Sequence, residues 1–165
     1  MKWFYALLTA ALLLPSVAMA EIKVLQWEDL RPADEQQALP NVNPHGGDPF
    51  ADESGPASWV QPQGQVVAEL DGQTIKLPGF IVPLEGDETH VTEFLLVPYF
   101  GACVHVPPPP TNQLIYVKYE QGLPIDIIWD AVWVTGKLST NSYAIEEFSA
   151  GYSMEATLAN PYDEG

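Results

Sequence analysis

A small antiparallel β-barrel of OB-like form, preceded by an extended proline-rich arm, is the fold class this sequence predicts. Three observations carry the prediction. Proline supplies 16 of the 165 residues, about twice its usual share of roughly 5%, and a proline inside a helix removes a hydrogen bond and clashes with the preceding turn. Short β-rich runs separated by Gly, Pro and Asp-Gly fill residues 63–165, with no long apolar stripe of helical period among them. A sheet made of several short strands protects its edges best by closing on itself.

The elements follow in chain order. Met1 to Ala20 carry Lys2, an apolar stretch from Trp3 to Leu14 and the small-x-small ending Ala18-Met19-Ala20, the features of a cleavable secretory signal peptide. The stretch is shorter than the ~20 residues that span a bilayer, and Pro15 interrupts it. Cleavage after Ala20 and a periplasmic mature chain without a membrane span are therefore expected. Residues 21–62 read as an extended arm punctuated by six prolines, with short helical turns confined to residues 27–39. Its large apolar residues Trp27, Leu30, Phe50 and Trp59 are expected to pin it to the barrel domain of residues 63–165.

Within that domain, runs 64–70 and 73–84 flank Asp71-Gly72, a pair suited to the positive φ angles of a type I′ hairpin turn. Pro78 and Pro83 cannot donate to a ladder, so the second run should bulge or lie at an edge near them. Further strands are expected at 93–98, 113–119, 131–138 and 152–158. In 131–138, Val132, Val134 and Gly136 alternate with Trp133, Thr135 and Lys137, which gives one small apolar face. Residues 141–150 read as a short helix or loop. Trp129 and Trp133 read as core fillers or as cover for the arm.

Charge excludes several functions. The chain has 22 Asp and Glu against 6 Lys and Arg, a net charge of −16, so nucleic acid and anionic lipid headgroups are poor partners, whereas cations and basic protein surfaces fit. No GxSxG elbow, HExxH helix, phosphate loop, dinucleotide fingerprint or EF-hand loop is present. The acidic loop 85–88 lacks the spaced oxygen ligands of a calcium loop and reads as solvated surface.

The segment 97–113 holds the chemistry. Cys103 is the chain's one cysteine, so it cannot close an intrachain disulfide; it is a buried inert thiol, a metal ligand or a redox thiol, according to its exposure and acidity. His105 lies two residues on, and in extended backbone both side chains project to the same side. Thiolate and imidazole suit Zn²⁺ or Cu⁺, but the pair supplies two ligands, and the remaining histidines are the distant His45 and His90. Nucleophilic catalysis ranks below metal binding, because side chains at i and i+2 run parallel instead of meeting. Pro107, Pro108, Pro109 and Pro110 favour stiff polyproline II, which reads as a rigid crossover between strands or as a docking surface for an aromatic-lined groove. Asn112 and Gln113 are expected to tie its exit to the backbone.

The strings Leu77-Pro78-Gly79-Phe80-Ile81-Val82-Pro83-Leu84-Glu85, Glu93 through Pro110 and Gly151-Tyr152-Ser153-Met154-Glu155-Ala156, with Trp27-Glu28-Asp29-Leu30, resemble the bacterial DUF3299 family of secreted proteins of unknown function. Members are often encoded beside transporter components and zinc-acquisition proteins, so the resemblance implies an envelope transporter as partner and zinc as the metal. Cys103 and His105 fall inside the family's motif, and His45 and His90 do not.

The expected function is that of a non-enzymatic periplasmic accessory protein that binds or transfers zinc through Cys103 and His105. Two alternatives stand beside it. One is a metal-free interaction module that docks an envelope protein through Pro107 to Pro110, and the other is a thiol redox protein.

Overall fold

Strict alternation along one long strand organises the domain. The computed structural model describes residues 22–36, 61–102, 108–145 and 148–163. Eight strands occur in these residues: β1 (Lys23–Val24), β2 (Thr74–Gly86), β3 (His90–Val97), β4 (Ile115–Pro124), β5 (Val132–Ser139), β6 (Tyr143–Ile145), β7 (Phe148–Ala150) and β8 (Tyr152–Pro161). In β2, Ile75, Leu77 and Ile81 point into the main core, and Phe80, Val82 and Leu84 line the opposite face, as the period of two requires.

Pairing runs β2–β3–β4–β8–β5 and returns from β5 to β2, which closes a five-stranded barrel. The expected OB-like barrel is present, with one junction of different sense: β4 and β8 are parallel, and the other four pairs are antiparallel. A parallel pair needs a long return of the chain. Here the return runs through β5 and a small hairpin of β6 and β7, where a helix or loop was expected.

β2 serves two partners in succession, β5 through residues 74–79 and β3 through residues 80–86. Its register shifts just after Pro83, which has no amide to donate. Pro78 stands in the wall opposite Trp133, and its carbonyl accepts a hydrogen bond from Trp27 Nε1 at 2.7 Å. In β5, Val132, Val134 and Leu138 are fully buried, so the small apolar face read from the sequence does face the core.

The expected hairpin across Asp71-Gly72 does not form. Residues 68–70 make a 3-10 turn instead. Asp71 at φ −60° and ψ 129°, followed by Gly72 at φ +73°, makes a type II turn closed by Gln73 N donating to Leu70 O at 3.2 Å. The partner that meets β2 at this point is β5: Gly72 N donates to Leu138 O, and Leu138 N to Gln73 O. Trp129 also departs from expectation, being 69% exposed. Trp133 is half-buried, stacked on Tyr162 with the Lys76 ammonium over its ring.

The described part of the arm is a strap. β1 lies parallel to β2, a 3-10 turn covers Trp27–Leu30, and Ala33–Gln36 form one helical turn. Leu25 and Leu30 are buried in the main core, and Trp27 packs on it; each such leucine contributes about 1.5–3 kcal/mol relative to exposure. Phe50 and Trp59 lie outside the described residues, as do residues 1–20. No helix among the described residues is long and apolar enough to cross a membrane.

Tyr152, at the start of β8, fastens the strap. Its hydroxyl donates to Leu30 O at 2.9 Å and accepts from Val67 N at 2.7 Å. Burial, reinforced by the charge of Glu35 and opposed by the Val67 amide, raises the phenol's pKa. Tyr152→Phe strands both backbone groups, so unfolding in urea should show stability lower by about 1–3 kcal/mol, with an unchanged slope.

Candidate functional site

Outside the barrel a second apolar cluster covers β2, β3 and β4. Leu95, Val97, Leu114 and Tyr116 form its base, and Ala102 and Ala150 close over them. Phe80, Val82, Leu84 and Ile145 pack around the rim. This cluster seats the crossover that joins β3 to β4. Tyr99 to Ala102 make a tight turn in which Ala102 N donates to Tyr99 O and Gly101 takes φ +80°, a conformation that favours glycine. Phe100 is thereby left at the tip, 63% exposed and edge-on to Phe80 with ring centroids 6.0 Å apart. Tyr99 beside it is also exposed.

The exit of the crossover is held by polar contacts. Pro108 and Pro109 are buried and Pro110 is half-buried, and Gln61 Nε2 donates to Pro109 O at 3.1 Å. Thr111, Asn112 and Gln113 then form a buried 3-10 turn. Thr111 Oγ1 and Gly64 exchange two hydrogen bonds, and Gly151 N donates to Thr111 O at 2.7 Å. Asn112 Nδ2 donates to Glu35 Oε2 and to Gln65 O, both at 2.8 Å, and Gln113 Nε2 donates to Trp27 O at 3.0 Å. The tie expected from Asn112 and Gln113 is therefore made, and it reaches the strap as well as the crossover.

A groove of about 560 Å³ opens next to this cluster, along the outer faces of β4, β8 and β5. Strand register sets charges of alternating sign across it: Glu93 pairs with Lys118, Lys118 with Glu155, and Glu155 with Lys137. Lys118 Nζ lies 3.3 Å from Glu93 Oε1. One step along the strands, Tyr116 donates its hydroxyl to Glu93 Oε2 and stacks flat on Tyr143 of β6, with centroids 3.6 Å apart.

The shifts at Glu93, Tyr116 and Asp87 lead away from neutrality. The Tyr116 hydroxyl leads the causes that lower the Glu93 pKa, with burial opposing and Lys118 assisting. Burial, followed by Glu93 and Tyr143, pushes the Tyr116 phenol well above its usual range. Asp87 falls to about 2 because the Thr89 hydroxyl and the Thr89 and His90 amides donate to it. A general acid or base works best with a pKa near the working pH, and these shifts all lead away from it.

Cys103, His105 and Pro107 lie outside the described residues, as does His45. In the described part of the proline run, Pro108 and Pro109 pack inward and Pro110 is half-buried. His90 opens β3, exposed, its Nδ1 bonded to Thr89 Oγ1 at 2.8 Å. Among the described residues, no group of three or more His, Cys, Asp or Glu side chains could hold a metal ion. The sequence reading missed Phe100 and the charge row. The row was open to detection from the outward alternation of Glu93 with Leu95 and of Tyr116 with Lys118, once a register was known.

Fold and site together define a single OB-like β-barrel domain, strapped at its N-terminus and carrying a fastened crossover between its second and third barrel strands. The chain belongs to the DUF3299 family, proteins of unknown function, whose family model matches residues 27–161. It is similar to the crystal structure of a DUF3299 family protein from Pseudomonas aeruginosa PAO1, with 40% identity and a TM-score of 0.70 over 88% of this chain and 99% of that one. A comparison with curated proteins gives no match.

Because the folded-state pKa of Glu93 lies below the ordinary 4.5, its ionised form adds stability that is present above pH 4.5 and lost as pH falls through the lower folded value. Glu93→Gln should lower stability at pH 7 by less than about 1 kcal/mol. The gap from wild type should close in urea titrations carried below pH 4.5.

Proposed function

We propose that the protein is a non-enzymatic accessory protein of the periplasm that acts by binding, with the Tyr99–Phe100 tip of the crossover as its contact element. One observation carries this reading: the crossover is seated at Ala102 and fastened at Pro108 to Gln113, while Tyr99 and Phe100 stand out into solvent. Holding a loop at both ends lowers the entropy lost when it binds. An exposed pair of aromatic side chains on such a support has the character of an interface anchor.

A photo-crosslinking amino acid placed at position 100 in the intact cell tests this. It should give a discrete adduct that is missing when the probe sits at exposed Leu158. Identical adduct patterns from the two positions would remove the crossover from the interface.

A metal-binding reading attaches to the same element. Cys103 and His105 stand two residues apart in the sequence between Ala102 and Pro108, and a thiolate with an imidazole suits Zn²⁺, the remaining ligands coming from elsewhere. Zinc titration of the reduced mature chain by calorimetry should then show a site that weakens at least tenfold in Cys103→Ser and in His105→Ala. Equal binding by all three proteins shows that Cys103 and His105 are not the zinc ligands and leaves the protein-docking role in place.

A further inference from the structure

At the end of the barrel formed by the β2–β3 turn and the β4–β5 connection, the surface has a different character. We propose that this end is a second docking surface, separate from the crossover, for an extended protein segment that carries both Lys or Arg and apolar side chains. The β4–β5 connection is a 3-10 turn at Ile125–Ile127 followed by a turn through Asp130. Ile128 is buried and pins the connection to the core, while Ile125 (44%) and Trp129 (69%) face solvent. Trp129 is the most exposed large apolar side chain among the described residues, and a tryptophan in water forgoes more burial than most other side chains would.

The charge around this patch is of one sign. Asp126 and Asp130 flank the two apolar residues in the connection itself, and both are exposed. Ile125 N donates to Thr89 O at 3.0 Å, which fixes the β2–β3 turn, with exposed Asp87 and Glu88, against the same connection. No Lys or Arg occurs between Lys76 and Lys118 or between Lys118 and Lys137, so neither turn contains a cation. Asp87 keeps its charge at any physiological pH, with a pKa of about 2.

An apolar patch in a wholly acidic frame repels anionic headgroups and nucleic acid and attracts ammonium and guanidinium groups. Indole also binds such cations over its face, most strongly when the pair is partly desolvated. A basic segment with interspersed apolar residues satisfies both halves of the surface; a purely apolar partner would leave four carboxylates facing it without counter-charge.

Fluorescence anisotropy with a labelled ten-residue peptide of alternating Lys and Val tests the proposal on the mature chain. Binding should weaken at least tenfold in Trp129→Ala and in the Asp126→Asn/Asp130→Asn pair, and be unaffected in Glu69→Gln, an exposed acidic position outside the two turns. The same peptide with Glu for Lys should not bind. Equal affinity of wild type and Trp129→Ala would overturn the proposal, as would equal loss in Glu69→Gln, which marks attraction to net charge alone. Sedimentation with neutral phosphatidylcholine vesicles that depends on Trp129, without peptide binding, would overturn it in favour of a membrane contact.

Discussion

The parallel junction of β4 and β8 is the constraint on which the other parts of this domain depend. An antiparallel pair can be closed by a two-residue turn, but a parallel pair brings two chain entries to the same end of the sheet, each with backbone groups the ladder does not yet use. Thr111, Asn112 and Gln113 lead into β4, and Gly151 leads into β8. Their bonds run to one another, to residues 62–65, and to Trp27 and Glu35 of the strap. Tyr152 completes the junction by joining Leu30 to Val67. Burying this much polar surface costs free energy unless it is paired; among the buried side-chain nitrogen and oxygen atoms of the described residues only Asn112 Oδ1 lacks a partner, and the network joins the strap, the approach segment and the exit of the crossover.

That arrangement gives the barrel two apolar surfaces with different tasks. The inner one is filled mainly by leucine, isoleucine and valine from β2 to β5, and by Tyr152 and Met154 from β8. The outer one, from Phe80 to Tyr116, would be an aggregation risk if left open. It is covered by Ala102 and Ala150, from the crossover and β7, with Phe80, Val82, Leu84 and Ile145 half-buried at its rim and Phe100 exposed beside Phe80. A covered sheet face with one exposed aromatic edge is an economical way to display a loop without destabilising the sheet beneath it.

Much of this was legible from local pattern. Period-two alternation located β2 to β5 and β8 to within a few residues, because one face of each strand must meet the core. A barrel followed from strand number and the need to hide edges, but its closure was not legible, because it rests on the long-range pairing of β2 with β5. Local pattern failed where a distant partner decided the outcome. Asp71-Gly72 has the residues of a hairpin turn, yet the competing pairing of β2 with β5 makes it a type II turn that leads into the strand from a 3-10 helix. Residues 143–150 pair as β6 and β7 because the outer cluster takes up Ile145 and Ala150, a surface that does not exist until β2, β3 and β4 are assembled. Trp129 carries no local signal of exposure, since tryptophan is usually drawn inward. At the candidate site, Asn112 and Gln113 were readable as ties, but their reach to Trp27 and Glu35 depends on where the strap lies.

The distribution of charge separates the two ends of the molecule. With so few cations against 22 carboxylates, their placement matters more than their number. Register sets Lys118 between Glu93 and Glu155 and Lys137 beside Glu155, and Lys76 rests on Trp133. These lysines answer charges or rings on the barrel wall. The two turns at the far end contain none, so the carboxylates of Asp87, Glu88, Asp126 and Asp130 have no cation within their own turns, beside the exposed Trp129 indole. Net charge by itself acts over a distance of about 8 Å at physiological salt and selects no particular partner. Selection requires the charge to be uneven and to frame a surface that gains from being covered, and the β4–β5 connection combines both features.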